Sequence, residues 1–206
     1  MSKASFVFAL ILFSFHMASA SNSCQPENVY TYKSIECCLG DELSKDLCHK
    51  KIDQLDPNLV TEISIVKSDI LAGVYPYKNV PNCFWLALAF QLPDVLNKSE
   101  AIAPGDFSKK IEAGIVASQA LTWGDLVLFS GEVIFEHDFF HEQVSYDVLY
   151  HAGVYVGDNL ILQKENIVDS VFSLVPLDQV YKSYGEAFLI GYGSTLKMKY
   201  IKLPAE

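Results

Sequence analysis

Residues 80–90 read VPNCFWLALAF, which sets a single thiol, Cys83, directly before the unbroken apolar run Phe84–Phe90. A segment apolar at every position is not the helix of a protein surface; it suits a helix buried on all sides. Asn82 is a competent N-cap, Pro81 stands just outside, and Pro93 stops the helix after Leu92. The cysteine at its head has two readings. One is a structural core thiol, a frequent fate of the residue. The other is a nucleophile, because the unpaired N–H groups and positive dipole end of a helix favour the thiolate. What the rest of the chain can bring to that sulfur decides between them.

His151 opens the most strand-like run of the chain, HAGVYVG (151–157), and LILQ (160–163) follows across Gly157-Asp158-Asn159, a hairpin turn signal. A strand start packed against the Cys83 helix could bring an imidazole within reach of the thiol. With the turn at 157–159, residues 151 and 163 are expected to pair as cross-strand neighbours. Gln163 would then orient the imidazole and fix its tautomer.

Further runs, DLVLF (125–129), EVIF (132–135), VDSVFSLV (168–175), AFLIGY (187–192) and KMKYIK (197–202), read as short strands. Glu136–Tyr150 has no clean period and reads as an inserted loop. Upstream, helical patterns fall near 41–55 and over 61–71. Helices first and strands second predict an α+β fold, with N-terminal helices packed on a central antiparallel sheet.

Composition sets the remaining bounds. The first twenty residues, with Lys3, an apolar stretch Phe6–Phe15 and Ala18-Ser19-Ala20, read as a cleaved export signal. The mature chain is therefore expected to be secreted or periplasmic, with no membrane span and as a monomer. Removing Lys3 moves the formal charge from −10 to −11, and the chain has 15 lysines and no arginine. Such an acid excess gives no basic face for nucleic acid. Residues 21–60 form a cysteine-rich cap, and 61–206 the main domain. In an oxidising compartment Cys24, Cys37, Cys38 and Cys48 should pair, either as 24–37 with 38–48 or as 24–38 with 37–48; the neighbours 37 and 38 cannot bridge without strain. Cys83 is the odd thiol.

NCFWLALAF, WGDLVLFSG and YHAGVYVGDNLILQ, in that order, resemble the signature blocks of the NlpC-type papain-like cysteine peptidases of bacterial cell walls. The resemblance covers about residues 75–193 and implies a papain-like core without metal or cofactor. It implies Cys83 as nucleophile, His151 as base and then acid, and Gln163 as orienter. It also implies an oxyanion hole from the Cys83 N–H with help from Tyr75 or Tyr77, and peptidoglycan stem peptides or a related peptide as substrate. Family members usually read Asp-Cys-Ser-Gly where this chain reads Asn82-Cys83-Phe84-Trp85, so Asn82, Phe84 and Trp85 are expected to shape substrate contacts of their own. Two alternatives stand beside the hydrolase: a thiol acyltransferase or esterase, and a silent module that only holds a glycan or peptide. His137 and His141 have the spacing of two zinc ligands, but Asp138 stands where a metalloprotease has its glutamate, so no metal is expected.

Overall fold

The computed structural model describes residues 26–40, 42–75, 80–96, 100–112, 114–116, 120–137, 142–165 and 171–203. Strands β1 (Val29–Tyr32) and β2 (Ile35–Cys38) come first. Helices α1 (Lys45–Asp53), α2 (Pro57–Leu71), α3 (Cys83–Gln91), α4 (Pro93–Leu96) and α5 (Pro104–Ile111) follow. Then come β3 (Ile115–Val116), β4 (Leu126–His137), β5 (Glu142–Tyr155), β6 (Leu160–Lys164), β7 (Phe172–Pro176), helix α6 (Leu177–Tyr192) and β8 (Leu196–Lys202). All strands share one sheet in the order β1-β2-β7-β6-β5-β4-β8-β3. Every neighbouring pair is antiparallel except β2 and β7, which run parallel. The fold is thus mixed α+β, and one parallel joint corrects the expectation of a purely antiparallel sheet.

Strand alternation sends side chains to two covered faces. On one face Leu126, Leu128, Ala152 and Val154 meet Phe84, Leu88 and Phe107, while Leu160, Leu162 and Phe172 meet Trp85, Leu86, Ile63 and Ile52. On the other face Val127, Phe129, Ile161 and Val175 meet Val180, Tyr184 and Phe188 of α6. Helix α3 is therefore buried all round, as its composition demands, with Trp85, Leu86, Ala87 and Leu88 fully inside. It ends where expected: Leu92 is extended, a conformation forced on the residue before Pro93.

Two other sequence readings are overturned. AFLIGY (187–192) is the last turn and a half of α6, not a strand. Leu177, Val180, Tyr184 and Phe188, the buried residues of this helix, are spaced three and four apart, the helical period. Glu136–Tyr150 is not a loop between strands: its described part continues β4 and β5 as a hairpin that runs beyond the end of β8 at Leu196, which pairs with Gly131. With no third strand beside it among the described residues and little to bury, this arm shows no apolar alternation in sequence.

The turn signal holds. Gly157, Asp158 and Asn159 all take positive φ, at 78°, 53° and 57°. Lys51, itself buried, reaches from α1 to Asp158 at 2.8 Å and braces the turn. Cys37 is bridged to Cys48, tying β2 to α1, which selects the second of the two sequence pairings for these cysteines. Cys38 is disulfide-bonded as well, Cys24 lies outside the described residues, and Cys83 is free. No helix among the described residues is long and apolar enough to cross a membrane.

Candidate active site around Cys83 and His151

The head of α3 is fixed by Asn82. Its Oδ1 accepts from the Trp85 N–H at 3.0 Å and the Ile102 N–H at 3.3 Å, while its Nδ2 donates to the Ile102 carbonyl at 2.8 Å. An aspartate would keep the cap but could not donate to that carbonyl. Asn82→Ala removes the cap and leaves Ile102 without both bonds, so it is expected to lower stability by about 2 kcal/mol. The midpoint of urea unfolding checks this; an unchanged midpoint would mean that α3 is held by packing alone.

Strands β5 and β6 stay paired only at Val154 with Leu162 and Tyr155 with Ile161. Tyr155 exchanges its backbone bonds with Gly124 and Asp125 on the β4 side. By alternation, Ala152 and Val154 point their backbone groups toward β6. At Ala152 the strands have already parted, and its N–H lies close enough to the sulfur of Cys83 to favour the thiolate. The thiol thus lies beside β5 at the residue after His151, where β5 and β6 have parted.

His151 comes to the same split from the opposite face. Between Phe129 and Ser130 the β4–β5 register shifts, so that Phe129 pairs with His151 but Ser130 with Leu149, leaving Tyr150 as an extra residue. Alternation puts His151 on the α6 face and the bulge brings Tyr150 to the same side, and each ring packs on Tyr184. The imidazole stacks on Tyr184 with centroids 4.1 Å apart and planes 15° apart, and Phe129 lies 5.6 Å away on the same face. Across the split, His151 Nε2 and Gln163 Oε1 are 2.8 Å apart. The register carries Gln163 toward residue 153 rather than 151, so the two side chains meet diagonally where the backbones diverge, which corrects the expected direct pairing. Among the described residues no hydrogen bond joins the thiol to the imidazole, whose partner is Gln163.

Both groups are neutral at rest. Burial pushes the Cys83 thiol up to about 11, against the lowering pull of the Ala152 N–H, the Lys164 charge and the N–H groups of Phe84 and Cys83. Burial likewise takes His151 down to about 4, opposed by the bond to Gln163. An Nε2–H on the ring would donate to Gln163 Oε1 and leave Nδ1 with its lone pair. Burial, with repulsion from the thiolate next, holds the Tyr184 hydroxyl well above its usual value. That hydroxyl donates to the Glu165 carbonyl at 2.6 Å.

The remaining expected site residues lie elsewhere. Phe84 packs on Phe107 at 4.9 Å and Trp85 is edge-on to Phe172 at 6.3 Å, both buried. The aromatic pair after the thiol therefore fills the core rather than walling a groove, and the side chain of Asn82 is committed to the cap. Tyr75 is half-buried beside the Trp85 core, and Tyr77 lies outside the described residues. His137 stands on β4 and His141 lies outside the described residues; among these no cluster of His, Cys, Asp or Glu could hold a metal ion. The sequence reading missed Tyr184, Ser173, Glu165 and the buried Lys164. Of these only Ser173 left a mark, as a lone hydroxyl in the middle of VFSLV.

A scan against protein-family models finds no match to this chain, and searches of curated proteins and of solved structures find none either.

Proposed function

We propose that the chain is an exported cysteine hydrolase with an NlpC-type papain-like core, cleaving an amide bond in peptidoglycan stem peptides or a related peptide. The observation that carries this reading is the 2.8 Å contact of His151 Nε2 with Gln163 Oε1, which supports a ring whose Nδ1 is left free to act as a base. On substrate binding the thiol proton passes to His151 as the sulfur attacks the carbonyl carbon. The N–H groups of Cys83 and Phe84, at the open end of α3, are available to the developing oxyanion. The C–N bond then breaks, the imidazolium returns its proton to the leaving amine, and water, deprotonated by His151, releases the thioester as a carboxylic acid. Lys164 lies close enough to favour negative charge on the sulfur. The disulfide and the leader-like residues 1–20 support export.

The test is mass spectrometry of purified peptidoglycan fragments incubated with the protein. The expected result is one amide replaced by a free amine and a free carboxylate, with the mass of one water gained. Fragments of unchanged mass, with a peptide library also intact, would remove the reading. A second reading, a silent peptide- or glycan-binding module on the same fold, is favoured by the high position of the thiol and by its bonding to backbone rather than to the imidazole. It predicts binding of the same fragments with no cleavage.

A further inference from the structure

Gln163 alone does not determine which nitrogen of His151 carries the proton. A primary amide has an acceptor at one end and two donors at the other, and could turn to suit either tautomer. What holds it lies further from the thiol. Gln163 and Ser173 are direct partners across β6 and β7, and Gln163 Nε2 stands 3.4 Å from Ser173 Oγ. Glu165, two residues beyond Gln163 and so on the same face, has Oε1 3.0 Å from that Oγ. The Tyr184 hydroxyl, bonded to the Glu165 carbonyl, ties this end of the chain to α6. His151, Gln163 and Ser173 are all buried, so water does not compete for these bonds.

Direction along this chain follows from valence. A carboxylate only accepts, so Ser173 gives its single proton to Glu165 and can only accept from Gln163. The amide therefore turns its NH₂ to Ser173 and its oxygen to His151, and the ring must answer with Nε2–H. We propose that Ser173 and Glu165 are positioning residues that hold His151 in the Nε2–H tautomer, the carboxylate setting the polarity of the whole Glu165–Ser173–Gln163–His151 chain. Their part in catalysis rests on the reading of His151 as the general base of the proposed hydrolase; the tautomer itself does not.

Two-bond ¹H–¹⁵N correlation spectra of the full chain labelled with ¹⁵N-histidine distinguish the two tautomers, and His151→Gln identifies the signals of this residue. The wild type is expected to show His151 at neutral pH only as Nε2–H. Ser173→Ala frees the amide to turn and is expected to give a mixture, Ser173→Thr to restore the single form, and Glu165→Gln to give a mixture because its amide can itself donate to Ser173. In Ser173→Ala and Glu165→Gln, but not in Ser173→Thr, kcat for the cleaved amide should fall roughly tenfold with KM unchanged, the usual scale for a group acting through another. An Nδ1–H form in the wild type, or the wild-type pattern surviving in both Ser173→Ala and Glu165→Gln, overturns the assignment. Glu165 is half-buried, so Glu165→Gln keeps the test open should Ser173→Ala fail to fold. A tautomer shift in a protein that cleaves nothing upholds the chain of bonds and removes the hydrolase reading, so the two failures are distinct.

Discussion

Cys83→Ala is expected to abolish amide cleavage, with a loss in kcat on the order of 10⁶-fold, and His151→Ala to lose nearly as much, because nucleophile and base act as one unit. The double variant should be little worse than either single one. The size of the effect follows from the resting state. With the thiol up at about 11 and the imidazole down at about 4, there is no standing thiolate at neutral pH to react by itself. Proton transfer must accompany attack, so neither group has a use without the other. Gln163→Ala should cost less, on the order of 10²-fold, since a free-turning imidazole still spends part of its time with Nδ1 unprotonated. The measurement is kcat on a defined peptide fragment, with circular dichroism and the urea midpoint as controls. Cys83→Ala leaves the Ala152 N–H without its sulfur partner, which should lower stability by only about 1 kcal/mol. Wild-type turnover in the folded Cys83→Ala variant would sink the nucleophile assignment.

The parts of this site that could be read from sequence are those set by local pattern. The all-apolar run behind Asn82 specifies a buried helix with Cys83 at its head, since no other environment accepts Phe84–Ala89 on every side. Gly157-Asp158-Asn159 specifies the turn that returns Gln163 toward His151, because three successive positive φ values need residues that tolerate them. What could not be read depends on distant partners. The extra residue at Tyr150 shifts the register by one and puts Tyr150 on the α6 face beside His151, and nothing in YHAGVY reports it. Helix α6 was hidden because a six-residue window on AFLIGY samples too little of its period; the signal appears only when Leu177, Val180, Tyr184 and Phe188 are taken together. The parallel pairing of β2 with β7 joins residues more than a hundred positions apart, and Ser173 reaches Gln163 through the β6–β7 ladder, whose register no turn signal in the sequence sets. The thiol, the imidazole and Gln163 are legible, therefore, and the groups packed behind them are not.

Acid should destabilise the protein through His151 before it does so through any carboxylate, by about 3 kcal/mol in total. The imidazole titrates near 6.5 when free and near 4 in the fold, where burial opposes its charge. Unfolding therefore takes up a proton between those two values. Its contribution to stability is complete above pH 6.5 and is lost progressively as the pH falls to about 4. Asp53 and Asp158, held below their ordinary 3.8 by bonds to Lys33 and Lys51, contribute in the same sense but only below that value, so the windows barely overlap. The thiol acts at the opposite end: raised from 9 to about 11, it contributes fully below pH 9 and is lost as the pH climbs through 11. Urea midpoints at pH 7 and pH 4.5, for the wild type and for His151→Gln, isolate the acid limb. The wild type should lose most of the 3 kcal/mol over that interval and the variant little of it. Parallel falls in the two proteins would place the imidazole in contact with water, and would take with them the burial that keeps it neutral.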